Sequence, residues 1–214
     1  ESGAFLKSRP DLDRPDLQVH VVLAITPNHG SRGEPPIQRD GFTFHICQLR
    51  PESTGRVGLR SADPFDDPAI FPNYLAAEED RRALREGVKM MRRVAAQDAL
   101  KPYNSEELFP GEAVQSDAEI DAWIRRTAET IYHPVGTCRM GAAGDPLAVV
   151  DGQCRVQGLE GLRVVDASVM PTLVGGNTNA PTMMIAEKVA DAIRGRPFLP
   201  ADEAPITEDA AAAA

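Results

Sequence analysis

Alternating apolar and polar positions predict a β-strand over residues 41–49. Phe44 and Ile46 fall on one side of this run, and His45 and Cys47 fall on the other. A period of two residues is typical of a strand that buries one face and exposes the other to water. The pattern therefore indicates a strand in an antiparallel sheet that has one solvent-exposed face.

Two further apolar runs extend this predicted sheet. Residues 19–25 are rich in valine and isoleucine, and the shorter run 56–60 contains Val57 and Leu59. Side chains of this kind favour strands that are half buried. Residues 27–38, between the first two strands, are rich in proline and glycine, which predicts a loop.

Apolar residues spaced three and four apart predict two helices in the middle of the chain. The first helix covers residues 78–97, and its apolar stripe consists of Leu84, Val88, Met91 and Ala95. The second begins after Ser116, where Glu119 completes a Ser-x-x-Glu capping box that satisfies free N–H groups at the helix start. Ile120 and Ile124 of the second helix then face inward.

The last third of the chain alternates short apolar segments with loops. Residues 163–165 predict a very short strand, and residues 181–194 predict a helix that ends before Gly195. A strand of this length is not stable by itself, so we expect it to complete a sheet whose other strands precede residue 1. The tail from Pro200 onward is acidic and alanine-rich, which predicts disorder.

Composition narrows the possible function classes. The chain has 214 residues, 42% of them hydrophobic, and a formal net charge of -9. Nucleic acids and anionic membranes bind basic surfaces, so neither is an expected partner. No apolar stretch approaches the roughly 20 residues that a spanning helix needs, so we expect no membrane-spanning segment.

Histidine and cysteine spacing indicates neither a metal centre nor a disulfide framework. The four histidines are widely scattered, and the three cysteines (Cys47, Cys138 and Cys154) contain no C-x-x-C pair. Metal sites and redox motifs need such clusters. An odd number of thiols fits a reducing compartment, and we expect the protein in the cytoplasm. Cys138 has no base beside it in the sequence, so we expect it to be structural.

Two segments framed by glycine and proline carry the candidate chemistry. His133 lies in the first, which runs from Tyr132 to Gly141, and Asn177 lies in the second, residues 176–182. Side chains presented from such turns are well placed for binding and catalysis. Taken alone, a histidine before proline is more often a turn residue, and an asparagine near a helix start is usually a cap.

These segments, with the run 150–171 between them, resemble the C-terminal part of the glucose-methanol-choline (GMC) family of flavin alcohol oxidoreductases. The likeness covers residues 1–195 and is greatest to choline dehydrogenases within the family. It implies an FAD-dependent enzyme that removes the hydroxyl proton of a small alcohol and transfers a hydride to flavin N5. A homodimer is a candidate assembly.

The resemblance implies catalytic roles for two residues. His133 is the implied proton acceptor, and histidine suits this role because its usual pKa lies near working pH. Asn177 is the implied group that holds the substrate oxygen, since an amide can donate to a developing alkoxide and accept from a hydroxyl. Asn179, two residues later, is the alternative for that position and otherwise a natural N-cap.

The resemblance also implies FAD contacts by Asp166, Ala167, Thr178 and Asn179. Asp166 and Ala167 match the family's second stretch of FAD contact, near the ribityl chain and pyrophosphate. Thr178 and Asn179 lie at the start of the last helix. Its positive end would stabilise negative charge on the N1 and C2-carbonyl edge of reduced flavin. No metal is implied.

The expected fold class is α+β. An antiparallel-sheet substrate-binding domain with helices (residues 1–130) precedes the C-terminal strand and helix of a Rossmann-like FAD-binding domain (131–199), followed by the disordered tail (200–214). The sequence lacks the G-x-G-x-x-G turn that holds a dinucleotide pyrophosphate, so the upstream FAD-binding half of the same enzyme is an expected partner. Without that half, the last strand and the apolar side of the last helix would be exposed.

Other function classes are less well supported by the sequence. A hydrolase that used His133 as its base would need a nucleophile, and the sequence contains no G-x-S-x-G elbow. The alternative that stays open is a cofactor-free fragment that binds substrate or dimerises without activity of its own. Bound flavin would distinguish this alternative from the enzyme.

Overall fold

The first part of the chain folds around a three-stranded antiparallel sheet. The computed structural model of the protein describes residues 2–26, 37, 39–197 and 200. The strands lie in the order β1-β2-β3, with bounds Ser2–Leu6 (β1), Leu17–Val22 (β2) and Thr43–Gln48 (β3). The predicted strands over 19–25 and 41–49 are therefore confirmed as β2 and β3, with shifted ends.

Among the described residues, three α-helices follow the sheet. Their bounds are Glu78–Ala95 (α1), Asp117–Thr127 (α2) and Asn179–Ile193 (α3). The first two share a core centred on buried Val88, Ile120 and Ile124. At the start of α2 the predicted capping box is confirmed, because the Ser116 side chain accepts from the Glu119 N–H and the Glu119 side chain accepts from the Ser116 N–H.

The sheet has one apolar face and one mixed face. Its register pairs Val19 with Ile46 on the apolar face and His20 with His45 on the other. Helix α1 packs closely on the apolar face at Gly87, where an added Cβ would lie 3.0 Å from Cγ2 of Ile46. The helix thus covers one side of the sheet, in agreement with the alternating sequence pattern.

A separate short hairpin pairs β4 (Arg56–Gly58) with β5 (Ala69–Phe71). The apolar pattern predicted β4 but missed β5 and β1. Strand β1 contains small Gly3 and Ala4, and β5 is a three-residue segment between prolines. Neither segment is long or alternating enough to show a strand period, and pairing with a neighbour decides its conformation.

A second core lies against α3 and stabilises the C-terminal half. Its buried residues are Val150, Cys154, Val169 and Val189. Ile185 of α3 also packs on this core, whereas Ile193 near the helix end is 61% exposed. The expectation that the apolar side of this helix would lack a partner is therefore wrong except at its end, because nearby loops supply the contacts.

Residues 163–165 do not form the predicted strand. Arg163 makes only an isolated antiparallel bridge with Arg155, and the Val164 N–H donates to the Cys154 carbonyl at 3.1 Å. Val164 and Val165 pack against the second core. No strand of the described residues pairs with this run, so its apolar side chains are buried by loop packing.

Some predictions fall outside the described part of the chain. These are the loop over residues 27–38, apart from residue 37, and the disordered tail from residue 201 onward. Over residues 2–26, 39–197 and the two isolated positions, no helix combines the length and apolar character needed to cross a membrane.

Candidate functional site

The segment that carries His133 is held against the turn at residues 167–169. Cys138 N–H donates to the Ser168 carbonyl at 3.0 Å, and Met140 N–H donates to the Val169 carbonyl at 2.8 Å. Immediately before His133, Tyr132 has a φ of 65°, which is unusual for a residue with a side chain. The backbone therefore turns sharply at Tyr132 and presents the imidazole beside the start of α3.

Three predicted site residues meet at this point. Nε2 of His133 lies 3.2 Å from Nδ2 of Asn177, and Nδ1 of the same ring lies 2.9 Å from Oγ1 of Thr178. Thr178 is buried, with 8% of its surface exposed. Asn177 is exposed and His133 is half buried, so the pair faces open space on the Asn177 side. Asn177 and Thr178, which follow His133 by 44 and 45 positions in the sequence, thus contact the two nitrogens of its imidazole ring.

The other predicted cofactor residues lie around this group. Asp166 and Ala167 belong to the turn that pairs with the His133 segment, and the Asp166 carboxylate accepts from the Ser168 N–H at 2.7 Å. Asn179 is the first residue of α3 and is exposed. The expected N-cap role of Asn179 is wrong, because Thr178 occupies the cap position and makes no side-chain cap bond. The Thr178 hydroxyl is bonded to His133 instead.

An arginine from the first part of the chain contacts the loop that carries Asn177. Gly175 has a φ of 76°, and a Cβ added there would lie 2.5 Å from Nη2 of Arg50. The positive φ favours glycine at this position, and any larger residue would require the Arg50 guanidinium to move. Nε of Arg50 is buried and has no hydrogen-bond partner among the described residues.

Charges near the His133 segment are paired with one another. Arg139 forms an ion pair with Asp145, and the Leu147 N–H donates to the same carboxylate at 2.9 Å. The Leu147 N–H first, and then Arg139, hold the pKa of the Asp145 carboxyl below its usual value. This pairing shapes the loop after the His133 segment.

Two of the three thiols, those of Cys47 and Cys154, lie in other parts of the fold. All three cysteines are free, and burial raises the pKa of both the Cys154 and the Cys47 thiol. Cys154 belongs to the second core, where it is 1% exposed. Buried thiols with raised pKa are poor nucleophiles, so the geometry supports a structural role for them.

Two aromatic side chains able to contact an organic cation, Trp123 and Tyr132, differ in placement. Trp123 packs against the core between α1 and α2, whereas Tyr132 is 57% exposed beside His133. His45 lies on the mixed face of the sheet with Nε2 2.8 Å from Oγ1 of Thr26. Tyr132 is therefore the aromatic side chain adjacent to the candidate site.

The start of α3 fits the flavin that the sequence resemblance implies. The first N–H groups of a helix have no acceptor within it, and the helix dipole adds positive potential there. An added Cβ at Gly176 would meet no atom within 4 Å, so the backbone before α3 borders open space. Donors, positive potential and an open backbone position at Gly176 therefore lie beside His133 and Asn177.

Comparison with curated proteins identifies close relatives. A model of the GMC oxidoreductase family matches residues 51–186. The chain is 48% identical over 206 residues to mitochondrial choline dehydrogenase of Mus musculus, covering 96% of the chain and 34% of that protein. It is 52% identical over 193 residues to an alcohol dehydrogenase (acceptor) of Pseudomonas putida, covering 90% and 34%. The chain thus spans about a third of the length of these relatives.

Solved structures share the fold. Pyridoxine 4-oxidase from Mesorbium loti superposes with a TM-score of 0.80 and 32% identity, covering 92% of the chain and 38% of that protein. An arginine variant of Aspergillus oryzae RIB40 formate oxidase, studied for its FAD modification, gives 0.77 and 30%, covering 86% and 32%. From the family match and these relatives, the chain belongs to the GMC oxidoreductase family.

Proposed function

We propose that this chain is the active-site-bearing C-terminal portion of an FAD-dependent oxidoreductase that oxidises a CH-OH group. The observation that carries the proposal is the contact between His133 Nε2 and Asn177 Nδ2 at 3.2 Å, beside the positive end of α3. Relatives named choline dehydrogenase and alcohol dehydrogenase support this reaction class.

In the proposed reaction His133 and Asn177 act on the substrate oxygen. His133 Nε2 accepts the hydroxyl proton, and the Asn177 amide donates to the oxygen as negative charge develops on it. The bound FAD supplies the acceptor for the hydride that leaves the carbon. The alcohol thus loses one proton and one hydride and becomes a carbonyl compound. The 3.2 Å separation allows one substrate oxygen to contact both side chains.

Residues around this pair are proposed to hold the cofactor. Thr178 and Asn179 begin α3 and present backbone N–H groups to the flavin edge. Asp166 and Ala167, in the turn beside the His133 segment, would hold the cofactor further along. Residues 131–199 then belong to the FAD-binding domain and residues 1–130 to the substrate-binding domain. The Rossmann-like part of the sheet would come from an upstream portion such as the relatives contain.

The substrate and the compartment are further parts of the proposal. A small primary alcohol of the choline type is the proposed substrate, supported by the choline dehydrogenase relatives. Exposed Tyr132 beside His133 offers an aromatic face for a quaternary ammonium group. The three free thiols support a reducing compartment such as the cytoplasm.

The decisive experiment uses the chain joined to an FAD-binding portion, called here the FAD-containing enzyme. Mixed with choline or another primary alcohol without oxygen, its flavin should lose its oxidised absorbance while an equal amount of aldehyde forms. Flavin that dithionite reduces but no alcohol reduces would contradict the proposal. A preparation that binds choline without flavin would instead support the second candidate, a cofactor-free substrate-binding or dimerising portion.

A further inference from the structure

Thr178 is the one residue of the candidate site whose side chain is both buried and bonded to the imidazole. Its hydroxyl lies 2.9 Å from Nδ1 of His133, on the ring side opposite Asn177. Its carbonyl accepts from the Thr182 N–H at 3.0 Å and from the Thr182 hydroxyl at 2.6 Å. These bonds fix the Thr178 backbone at the first turn of α3, so the hydroxyl is held in place.

The two contacts of the ring together determine which nitrogen carries the proton. A neutral imidazole has one N–H donor and one lone pair, and the amide nitrogen of Asn177 can only donate. A donor at Nε2 requires the lone pair there, so the proton of neutral His133 lies on Nδ1. The Thr178 hydroxyl can accept from this N–H. A partner at one ring nitrogen thereby selects the state of the other.

We propose that Thr178 is a positioning residue that keeps the proton of neutral His133 on Nδ1, so that Nε2 keeps the lone pair that accepts a proton. This inference rests on the proposed role of His133 as the base. The hydroxyl also accepts from Nδ1 after Nε2 has been protonated, so it stabilises both states of the ring in one orientation. Thr178 then acts through His133 and need not contact the substrate.

Three substitutions separate this role from simple packing. Thr178→Val keeps the shape of the side chain but removes the acceptor, whereas Thr178→Ser keeps the hydroxyl. Thr182→Val is the matched control, because it removes a hydroxyl one turn further along that bonds the Thr178 carbonyl and not the imidazole. Thr178→Ala, which adds no bulk, replaces the valine variant if that variant fails to fold.

The first measurement is the tautomer of His133 in the FAD-containing enzyme, read from ¹⁵N-histidine spectra and assigned with His133→Gln. The wild type, Thr178→Ser and Thr182→Val should all show the proton on Nδ1. In Thr178→Val the Nδ1–H loses its acceptor, so the Nε2–H population should rise above that of the wild type, although the Asn177 donor still favours a lone pair on Nε2. A valine variant with the same Nε2–H population as the wild type would overturn the proposal. This readout needs no turnover, so it is independent of the proposed reaction.

The second measurement is the rate of flavin reduction by an alcohol without oxygen. Thr178→Val should lower this rate about tenfold, the scale of one lost hydrogen bond to the reacting group, with little change in KM. Thr178→Ser should restore it to within about threefold of wild type. An unchanged rate in the valine variant would overturn the inference. If no alcohol reduces the flavin of the wild-type enzyme, the proposed function is wrong. The tautomer measurement would still decide the role of Thr178.

Discussion

At the scale of single residues, Asn177 and Asn179 are chemically identical but differ in surroundings. Asn177 contacts the imidazole, whereas Asn179 is an exposed first residue of α3 with no capping bond. Asn177→Ala should therefore slow flavin reduction by on the order of 100-fold, since it removes a donor to developing charge. Asn179→Ala should change the rate and the melting temperature little.

Stopped-flow reduction of the FAD-containing enzyme and a thermal melt compare the two variants directly. A larger rate loss in Asn179→Ala than in Asn177→Ala would mean that the oxygen-holding role belongs to Asn179. A melting temperature that falls in Asn179→Ala alone would mean that this side chain caps α3 in solution, contrary to the structure.

Sequence reasoning could identify some site residues and not others. His133 and Asn177 lie in segments marked by glycine and proline, but the family resemblance supplied their catalytic roles, because the local pattern alone favours a turn residue and a helix cap. The bond from Thr178 to the ring and the contact of Arg50 with Gly175 join residues far apart in sequence. No local pattern encodes such contacts, because they depend on how distant elements pack.

At the scale of elements, the start of α2 makes helix stability depend on pH. The N–H and hydroxyl of Ser116, with the Gln115 N–H, donate to the Glu119 carboxylate and lower its pKa. A carboxyl with a lowered folded pKa contributes stability above its unfolded pKa and loses it as pH falls through the folded value. This contribution should be present at neutral pH and lost in acid.

Glu119→Gln should therefore melt below the wild type at neutral pH, and the difference should shrink as the pH falls below about 4, near the usual pKa of glutamate. Glu160→Gln, at an exposed turn position, serves as the control and should track the wild type throughout. Melting curves over a pH series provide the measurement. A Glu119→Gln difference that stays constant or grows in acid would contradict the pKa assignment.

The elements themselves were predictable where a period was long enough to detect. Helices α1 and α2 and strand β3 show clear periods of 3.6 or 2 residues, and all were found. Strand β5 has three residues, and so had the predicted strand at 163–165, which the structure replaces with an isolated bridge. A segment of three residues forms a strand only if a neighbouring strand pairs with it, and the local sequence pattern does not show which strand that is.

At the scale of the whole molecule, the described residues contain two hydrophobic cores and an apolar groove. A groove of about 790 Å³ lies between the sheet and α1, lined in part by Leu6, Val21, Phe44, Met91 and Val94. Exposed apolar surface of this kind promotes association. The sequence also lacks the glycine-rich turn that holds a dinucleotide pyrophosphate.

We therefore expect the 214-residue chain alone to associate and to bind no stoichiometric FAD. Addition of an FAD-binding portion should restore both flavin colour and a single species. Light scattering coupled to size exclusion, with absorbance of the bound flavin, measures both properties. A monodisperse isolated chain with one FAD per molecule would mean that the residues here suffice to hold the cofactor.

The most direct test of the central claim is flavin reduction by a primary alcohol in His133→Ala of the FAD-containing enzyme, without oxygen. If Nε2 of His133 accepts the hydroxyl proton, the rate should fall by about two to four powers of ten, the range for a lost general base. The bound FAD should still be reduced by dithionite at an unchanged rate, which controls for loss of the cofactor. A fall of less than about tenfold, with FAD still bound, would contradict the assignment of His133 as the catalytic base.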